Sequence, residues 1–261
     1  MNKEKLTNHI QDMELKQSVK KVLDLCEQTI RSHRMRHSKF LTPNVSAALS
    51  SILPQIDEIN YTMTSLNEEA ERRILYCYPS YEEFDNIESV LSVVKAKPIR
   101  EEESLSHRDY LGSILSLGIE RENIGDIVFD EEQNAYIVVI KPMDEFLLGN
   151  FNKVRHTKIS LGIVDEIPKI ERKYERKIIN IASFRLDSIV AGLLNLSREK
   201  SQRLIQSGDV RVDFVEEKNN SKMIAAPSVL SIRGFGKFKI GEFISETKKN
   251  RLRLEVFKFG N

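Results

Sequence analysis

The chain has no tryptophan and only two cysteines, Cys26 and Cys77, among its 261 residues. The two thiols stand apart in apolar-periodic stretches and form no metal-ligand spacing. A disulfide is not expected in a cytosolic setting, and both are read as packing residues. Seven prolines and eleven glycines are too few for a low-complexity chain. No apolar run approaches the roughly 18 residues that a membrane span needs, and residues 1–10 lack an apolar signal core. A cytoplasmic protein with no membrane partner is therefore expected. What the chain does have is ordinary for a globular protein: 40% hydrophobic and 30% charged residues, over a length suited to two or three domains.

The net charge of +1 hides an asymmetry. Residues 1–171 carry 21 basic against 29 acidic side chains, a net of −8, whereas residues 172–261 carry 19 against 10, a net of +9. A split of that size suggests that the second part meets a polyanion, and nucleic acid is the first candidate because phosphate neutralisation releases counterions. A merely soluble basic domain is the alternative.

Leu15, Val19, Val22, Cys26 and Ile30 recur at three- and four-residue steps, which predicts an amphipathic helix over about 12–34. Its end is basic: Arg31, His33, Arg34, Arg36, His37 and Lys39. Those charges either complement the helix dipole or form a second RNA-contacting patch. His33 and His37 are four apart, but no carboxylate or cysteine supports them as a metal site. A short helix over 44–53 stops at Pro54, and 56–63 reads as a strand. Further on, 73–78, 87–95, 126–129, 135–140 and 157–164 read as strands, and 104–117 and 144–151 as helices. This order predicts a compact α+β domain. The highly charged stretch from Ile167 to Glu175 reads as a link.

From Phe184 the pattern sharpens. Leu186, Ile189, Val190 and Leu193 make one helical face. Ser197 is a good N-cap, Glu199 suits a first turn, and Gly208 is a natural stop, so 198–207 reads as a second short helix. Val210-Arg211-Val212 then alternates as a strand with Arg211 facing away from the valines. A final strand pair is read at 229–233 and 253–257, with Gly234 to Lys239 between them. Glycines there let backbone approach a phosphate, and Arg233, Lys237 and Lys239 supply charge. Phe235 and Phe238 either stack on bases or pack in the core.

The order carried by Arg185, Leu186, Asp187, Ser197, Arg198, Leu204, Ile205, Gly208, Val210 and Val212 resembles the S-four RNA-binding domain, also called the αL motif. The resemblance implies two short helices and a strand whose basic surface docks on structured RNA, with Arg198 and Arg203 on the RNA-facing helix and Asp187 bracing the structure. Two departures concern the turns: Asp213-Phe214 stands where the family usually has Asn-Gly, and Pro227-Ser228 where it often has Gly-Asp. Over nearly its full length the chain resembles the YlmH family, through Leu105 to Leu115, Leu117 to Ile119, Ile124 to Ile127 and Ser231 to Phe238. That resemblance implies an α+β chain with a helical N-terminal domain (1–70), a central RNA-recognition-like domain (71–168), a charged linker (169–182) and an S-four-type domain (183–261). It also implies association with rRNA, tRNA and the large ribosomal subunit during rescue of stalled translation, with no cofactor and no small-molecule substrate. The family's gene usually lies near cell-division genes. Expected RNA contacts are Arg185, Arg198, Lys200, Arg203, Arg211, Arg233, Lys237 and Lys239, with Arg31, Arg34, Arg36, Lys39 and Arg108 as a secondary set.

The strongest rival is a pseudouridine synthase. Arg185-Leu186-Asp187 and Gly192-Leu193-Leu194 resemble that family's catalytic stretch, with Asp187 as the catalytic residue. Phe184 replaces the expected glycine, however, and about 74 residues after Asp187 are too few for the rest of that fold. His107-Arg108-Asp109 imitates a kinase catalytic loop without the other kinase signatures. Gly234 to Lys237 lacks phosphate-loop spacing.

Overall fold

A computed structural model describes residues 1–66, 70–82, 90–99, 105–165, 174–247 and 250–259. Two compact units result, 1–170 and 171–261.

The first unit opens with helix α1 (Lys3–Thr7) and the 20-residue helix α2 (Met13–Ser32). Asp12 starts α2 by accepting hydrogen bonds from the Glu14 and Leu15 amides, and His33 ends it in the left-handed conformation. His33 is thus a cap, and His37 lies in strand β1 (Arg36–His37), so the two histidines do not share a helix face. Helix α3 (Pro43–Ile52) follows, with proline in its first turn where the lost N–H costs nothing. Strands β2 (Ile59–Thr64) and β3 (Ile74–Pro79) complete a three-stranded antiparallel sheet in the order β1-β3-β2. Leu15, Val19, Leu23, Leu49, Ile52 and Leu75 fill the core between helices and sheet. Cys26 and Cys77 meet there as free, fully buried thiols with Sγ atoms 3.0 Å apart. The break expected after residue 70 does not end this sheet, because β3 lies beyond it and is the middle strand.

Strand β4 (Leu91–Pro98), helix α4 (His107–Leu115), strands β5 (Ile124–Phe129) and β6 (Ala135–Ile140), helix α5 (Met143–Asn150), and strands β7 (Lys153–Val154) and β8 (Thr157–Val164) build the rest of this unit. Apart from the short edge strand β7, this is the β-α-β-β-α-β order of ferredoxin-like folds. The sheet runs β5-β6-β4-β8-β7. Alternation sends Val94, Ala96, Ala135, Ile137 and Val139 toward Tyr110, Ile114 and Leu147 of the helices. The intervening Leu91, Val138 and Ile140 pack against Phe40, Ile74, Tyr76 and Tyr78 from the N-terminal part. Gly125 makes this joint possible, since a Cβ there would come within 2.7 Å of the Phe40 ring. The Asp126 carboxylate accepts the Glu71 and Arg72 amides at 2.7 and 3.2 Å, and buried Arg72 donates to the Phe40 carbonyl. Burial, then the neighbouring Arg121 charge, pushes the Arg72 pKa down to about 10.

In the second unit, strand β9 (Tyr174–Ile181) leads into helices α6 (Leu186–Leu194) and α7 (Arg198–Gln206). Strands β10 (Val210–Val212), β11 (Val215–Glu216), β12 (Ser228–Ile232), β13 (Gly236–Glu246) and β14 (Leu252–Phe259) follow. They form one antiparallel sheet in the order β11-β10-β12-β13-β14-β9. Two expectations are corrected. Residues 174–181 of the expected linker are a strand, paired with β14 along its whole length, while 169–173 lie outside the described residues. Lys237 and Lys239 stand in a strand between the two that were read as a pair, not in a phosphate-binding loop. Both helices pack on one face of the sheet, burying Leu186, Ile189, Val190 and Ile205 against Val210, Leu230, Ile232, Ile240, Leu254 and Val256. Each such side chain contributes about 1.5–3 kcal/mol. Gly192 permits the close approach of α6 to β9, since a Cβ there would lie 3.0 Å from Ile181 Cγ2.

Candidate nucleic-acid interface

Helix α7 is set by local chemistry. The Ser197 hydroxyl accepts the Lys200 amide at 3.3 Å, and Glu199 sits in the first turn where the dipole favours a carboxylate. After the helix, Gly208 takes φ +79°, and a Cβ there would meet the Glu216 carboxylate at 2.8 Å. Ile205 is buried, and the Ser201 hydroxyl donates to the Asp187 carbonyl at 2.9 Å, so this side of the helix is fastened to α6. Lys200 and Arg203 consequently face solvent. With Leu196, Leu204 and Ser207 they line an open depression of about 420 Å³. Arg203 also pairs with Glu199 one turn back, and both partners are about three-quarters exposed. Such a pair contributes little and yields readily to a phosphate.

Arg185 and Arg198 serve a different role. Asp187 is completely buried at the start of α6. Its carboxylate accepts two hydrogen bonds from Arg185, both 3.1 Å, one from Arg198 Nε at 3.0 Å and one from Gln202 Nε2 at 3.0 Å. Burial alone would raise the pKa, but the hydrogen bonds from Arg185, Gln202 and Arg198 outweigh it and hold the carboxylate well below its ordinary range. Two of the expected RNA contacts are thus tied to a structural carboxylate. Arg198 still exposes 62% of its side chain, so it can brace Asp187 and meet solvent at once.

The remaining expected contacts lie elsewhere. Arg211, Lys237 and Lys239 are on the sheet face opposite the helices, because their neighbours Val210, Val212 and Phe238 point into the core. Arg233 is exposed in the turn after β12 and lies 3.7 Å from Asp209. Phe238 is a core residue, whereas Phe235 is exposed at the turn between Gly234 and Gly236. The expected contacts therefore divide between two faces, a division that residue order does not carry.

In the secondary set, Arg31 pairs with Glu27 one turn back and Lys39 with Glu120, while Arg34, just before β1, and Arg36, within it, are exposed. Arg108 is exposed on the first turn of α4. Its neighbour Asp109 completes a capping box with Ser106, which accounts for the His-Arg-Asp triplet without catalysis. Among the described residues, the central sheet does not offer the exposed aromatics on which RNA-recognition sheets stack bases. On the face turned from the helices, Leu91, Val138 and Ile140 lie under Phe40, Ile74, Tyr76 and Tyr78. Beside them, Tyr136 is itself buried and donates to Asp130. Among the described residues there is no group of three His, Cys, Asp or Glu that could hold a metal, and no helix is long and apolar enough to cross a membrane.

Phe214 and Phe257 accompany the basic sheet face, a role that residue order alone does not mark.

Comparison with known proteins agrees with this architecture. Residues 14–81 match the family model described as "YlmH, N-terminal", and residues 89–167 the model described as "Putative RNA-binding domain in YlmH". A Bacillus subtilis relative, "Ribosome-associated protein quality control protein P2", is 29% identical over 226 residues, covering 85% of this chain and 86% of its own. "Uncharacterized RNA pseudouridine synthase MG209" of Mycoplasma genitalium is 36% identical over only 72 residues, 28% of this chain and 23% of that protein. The solved structure of "Cell division protein ylmH from Streptococcus pneumoniae" superposes with a TM-score of 0.52 at 22% identity, covering 61% of this chain and 96% of that one, a likeness of fold. Two adjoining family models and a relative aligned along most of both chains lead to one conclusion: this protein belongs to the YlmH family of RNA-binding proteins.

Proposed function

We propose that the protein is a ribosome-associated adaptor that docks on structured rRNA or tRNA. In this reading its place is the large ribosomal subunit carrying peptidyl-tRNA, and its task is the rescue of stalled translation. The observation that carries the reading is the solvent-facing basic side of α7, Lys200 and Arg203 beside the partly exposed Arg198, on a unit whose residues 172–261 have a net charge of +9. Exposed cations on a rigid short helix suit the phosphates of folded RNA, which position a protein without requiring base readout. The printed name of the Bacillus subtilis relative, a ribosome-associated quality-control protein, supports the ribosome as partner. The secondary cations Arg34, Arg36 and Arg108 add contacts from the first unit in this reading.

A modifying enzyme is the second reading, favoured by the partial likeness to a pseudouridine synthase and by Arg185-Leu186-Asp187. Against it, a catalytic carboxylate must come within about 3 Å of the atom it attacks or deprotonates, and Asp187 is buried beneath Arg185, Arg198 and Gln202.

The test is co-sedimentation of the full chain with ribosomes and titration against purified tRNA. The variant is Lys200→Glu with Arg203→Glu, which leaves the Asp187 network intact. Binding weaker by well over tenfold, with an unchanged melting temperature, supports the docking face. Wild-type affinity in that variant overturns it.

A further inference from the structure

The sheet of the second unit has one face under the helices; on the other, Arg211 and Lys239 are exposed, and Ser231, Lys237 and Phe257 are half-buried. Cross-strand register places Arg211 beside Ser231 and Ser231 beside Lys237, and, in the next row, Val229 beside Lys239 and Lys239 beside Phe257. All lie on the face away from the core, because their neighbours Val210, Leu230, Phe238 and Val256 are buried within it. Acidic side chains on this face are Glu216, opposite Arg211, and Glu255, which pairs with Arg176.

Two aromatic rings accompany the cations. Phe257 lies over Gly241, where an added Cβ would come within 3.0 Å of the Phe257 ring. Phe214 is the second residue of the two-residue turn between β10 and β11, and its ring lies 5.7 Å from Lys237 Nζ. Both turn residues have positive φ, Asp213 at 48° and Phe214 at 70°. Asp213 offsets this locally, since its carboxylate accepts the Val229 amide at 2.7 Å. A bulky aromatic has no such local remedy in a position that glycine occupies without steric cost. Strain kept for one particular side chain points to a use of that side chain.

We infer that this helix-free face is a second RNA surface, separate from the helical one, and that it takes unpaired bases. Phe214 and Phe257 receive base planes, and Arg211, Lys237 and Lys239 meet the phosphates between them. Interleaved rings and cations on a sheet are the arrangement that single strands require: every base has a face to stack, and the cations follow the backbone. The inference rests on the RNA-docking reading above and adds to it the class of RNA element met by the sheet.

The experiment uses the full chain and two fluorescent probes, a short single-stranded uridine oligomer and a stable RNA hairpin. Phe214→Gly and Phe257→Leu each weaken oligomer binding by about five- to 150-fold, the span associated with one stacked base. Phe214→Gly melts no lower than the wild type, because the turn is relieved. Phe214→Tyr and Phe257→Tyr keep the affinity, and an iodouridine oligomer photocrosslinks to peptides containing 214 or 257. The Lys200→Glu, Arg203→Glu variant instead loses the hairpin and retains the oligomer. Unchanged oligomer affinity in Phe214→Gly and Phe257→Leu, with crosslinks confined to α7, overturns the inference while hairpin binding leaves the docking reading standing. A wild-type chain that binds neither probe overturns both.

Discussion

Replacing Asp187 with Asn separates a structural brace from a catalytic group. The side chain has no exposed surface, and its carboxylate accepts four hydrogen bonds of 3.0–3.1 Å from Arg185, Arg198 and Gln202. A hydrogen bond to a charged group contributes about 1.5–3 kcal/mol. Arg185 and Arg198 are 32% and 62% exposed, so water recovers much of what their guanidinium groups lose. Asparagine keeps the shape but turns an amide N–H₂ toward donors. A net loss of about 2–4 kcal/mol follows, which for a unit of this size lowers the melting temperature by roughly 8–30 °C. Differential scanning calorimetry on the full chain reads the shift, and nucleoside mass spectrometry on RNA incubated with the protein reads any modification. The pH dependence has a definite sign. The folded pKa is held below the ordinary value of 3.8, so the carboxylate's stabilisation is present above that pH and is lost as the pH falls toward the folded value. The wild type therefore loses its advantage over Asp187→Asn below about pH 4. A variant that melts within about 0.5 kcal/mol of the wild type, the range of an inconsequential surface change, refutes the brace. New pseudouridine that disappears with Asp187→Asn would establish catalysis instead.

Other expectations follow from single contacts. Asp126→Ala removes the carboxylate that accepts the Glu71 and Arg72 amides and should destabilise the first unit by about 2–4 kcal/mol in urea titration, whereas Asp57→Ala, on an exposed turn, should change it by less than about 0.5 kcal/mol. Gly125→Ala drives a methyl group against Phe40, which is 2% exposed, and should cost about 1–3 kcal/mol by the same assay. The Cys77 thiol is pushed far up by its hydrogen bond with Cys26 and by burial, so iodoacetamide should label neither cysteine in the native chain and both in denaturant. Rapid labelling of the native protein would contradict the close-packed core around them.

How much of this was legible in the sequence depended on how local the cause was. Helix α7 was legible to within a residue because Ser197 and Gly208 mark its ends by their own chemistry. For α4, Ser104 and Ser106 were both candidate caps from the sequence, and the capping box with Asp109 three residues on singles out Ser106. Strand β13 was missed because Gly241 and the exposed Phe243 and Ile244 break the alternation, at the place where its pairing with β14 shifts register. Strand β9 was read as a linker because its charges follow a charged run, and its strand character comes from β14, more than 70 residues away. The S-four order brought Arg185, Asp187 and Arg198 to notice. That Arg198 reaches back to Asp187 is decided by how α7 packs on α6, a tertiary fact that spacing does not contain. The covering of the central sheet by Phe40 and Tyr76 was hidden for the same reason, since each residue reads as ordinary core for its own domain.

The docking face is tested most directly by the salt dependence of RNA affinity in Lys200→Glu, Arg203→Glu beside the wild type. If both cations meet phosphate, the variant binds tRNA or ribosomes well over tenfold more weakly at low salt. Its plot of log affinity against log salt is then shallower by about 1.4–1.8, two phosphate contacts' worth. Equal affinities and parallel slopes, in a variant that melts with the wild type, would mean that the RNA lies elsewhere and that the basic side of α7 is only solvated surface.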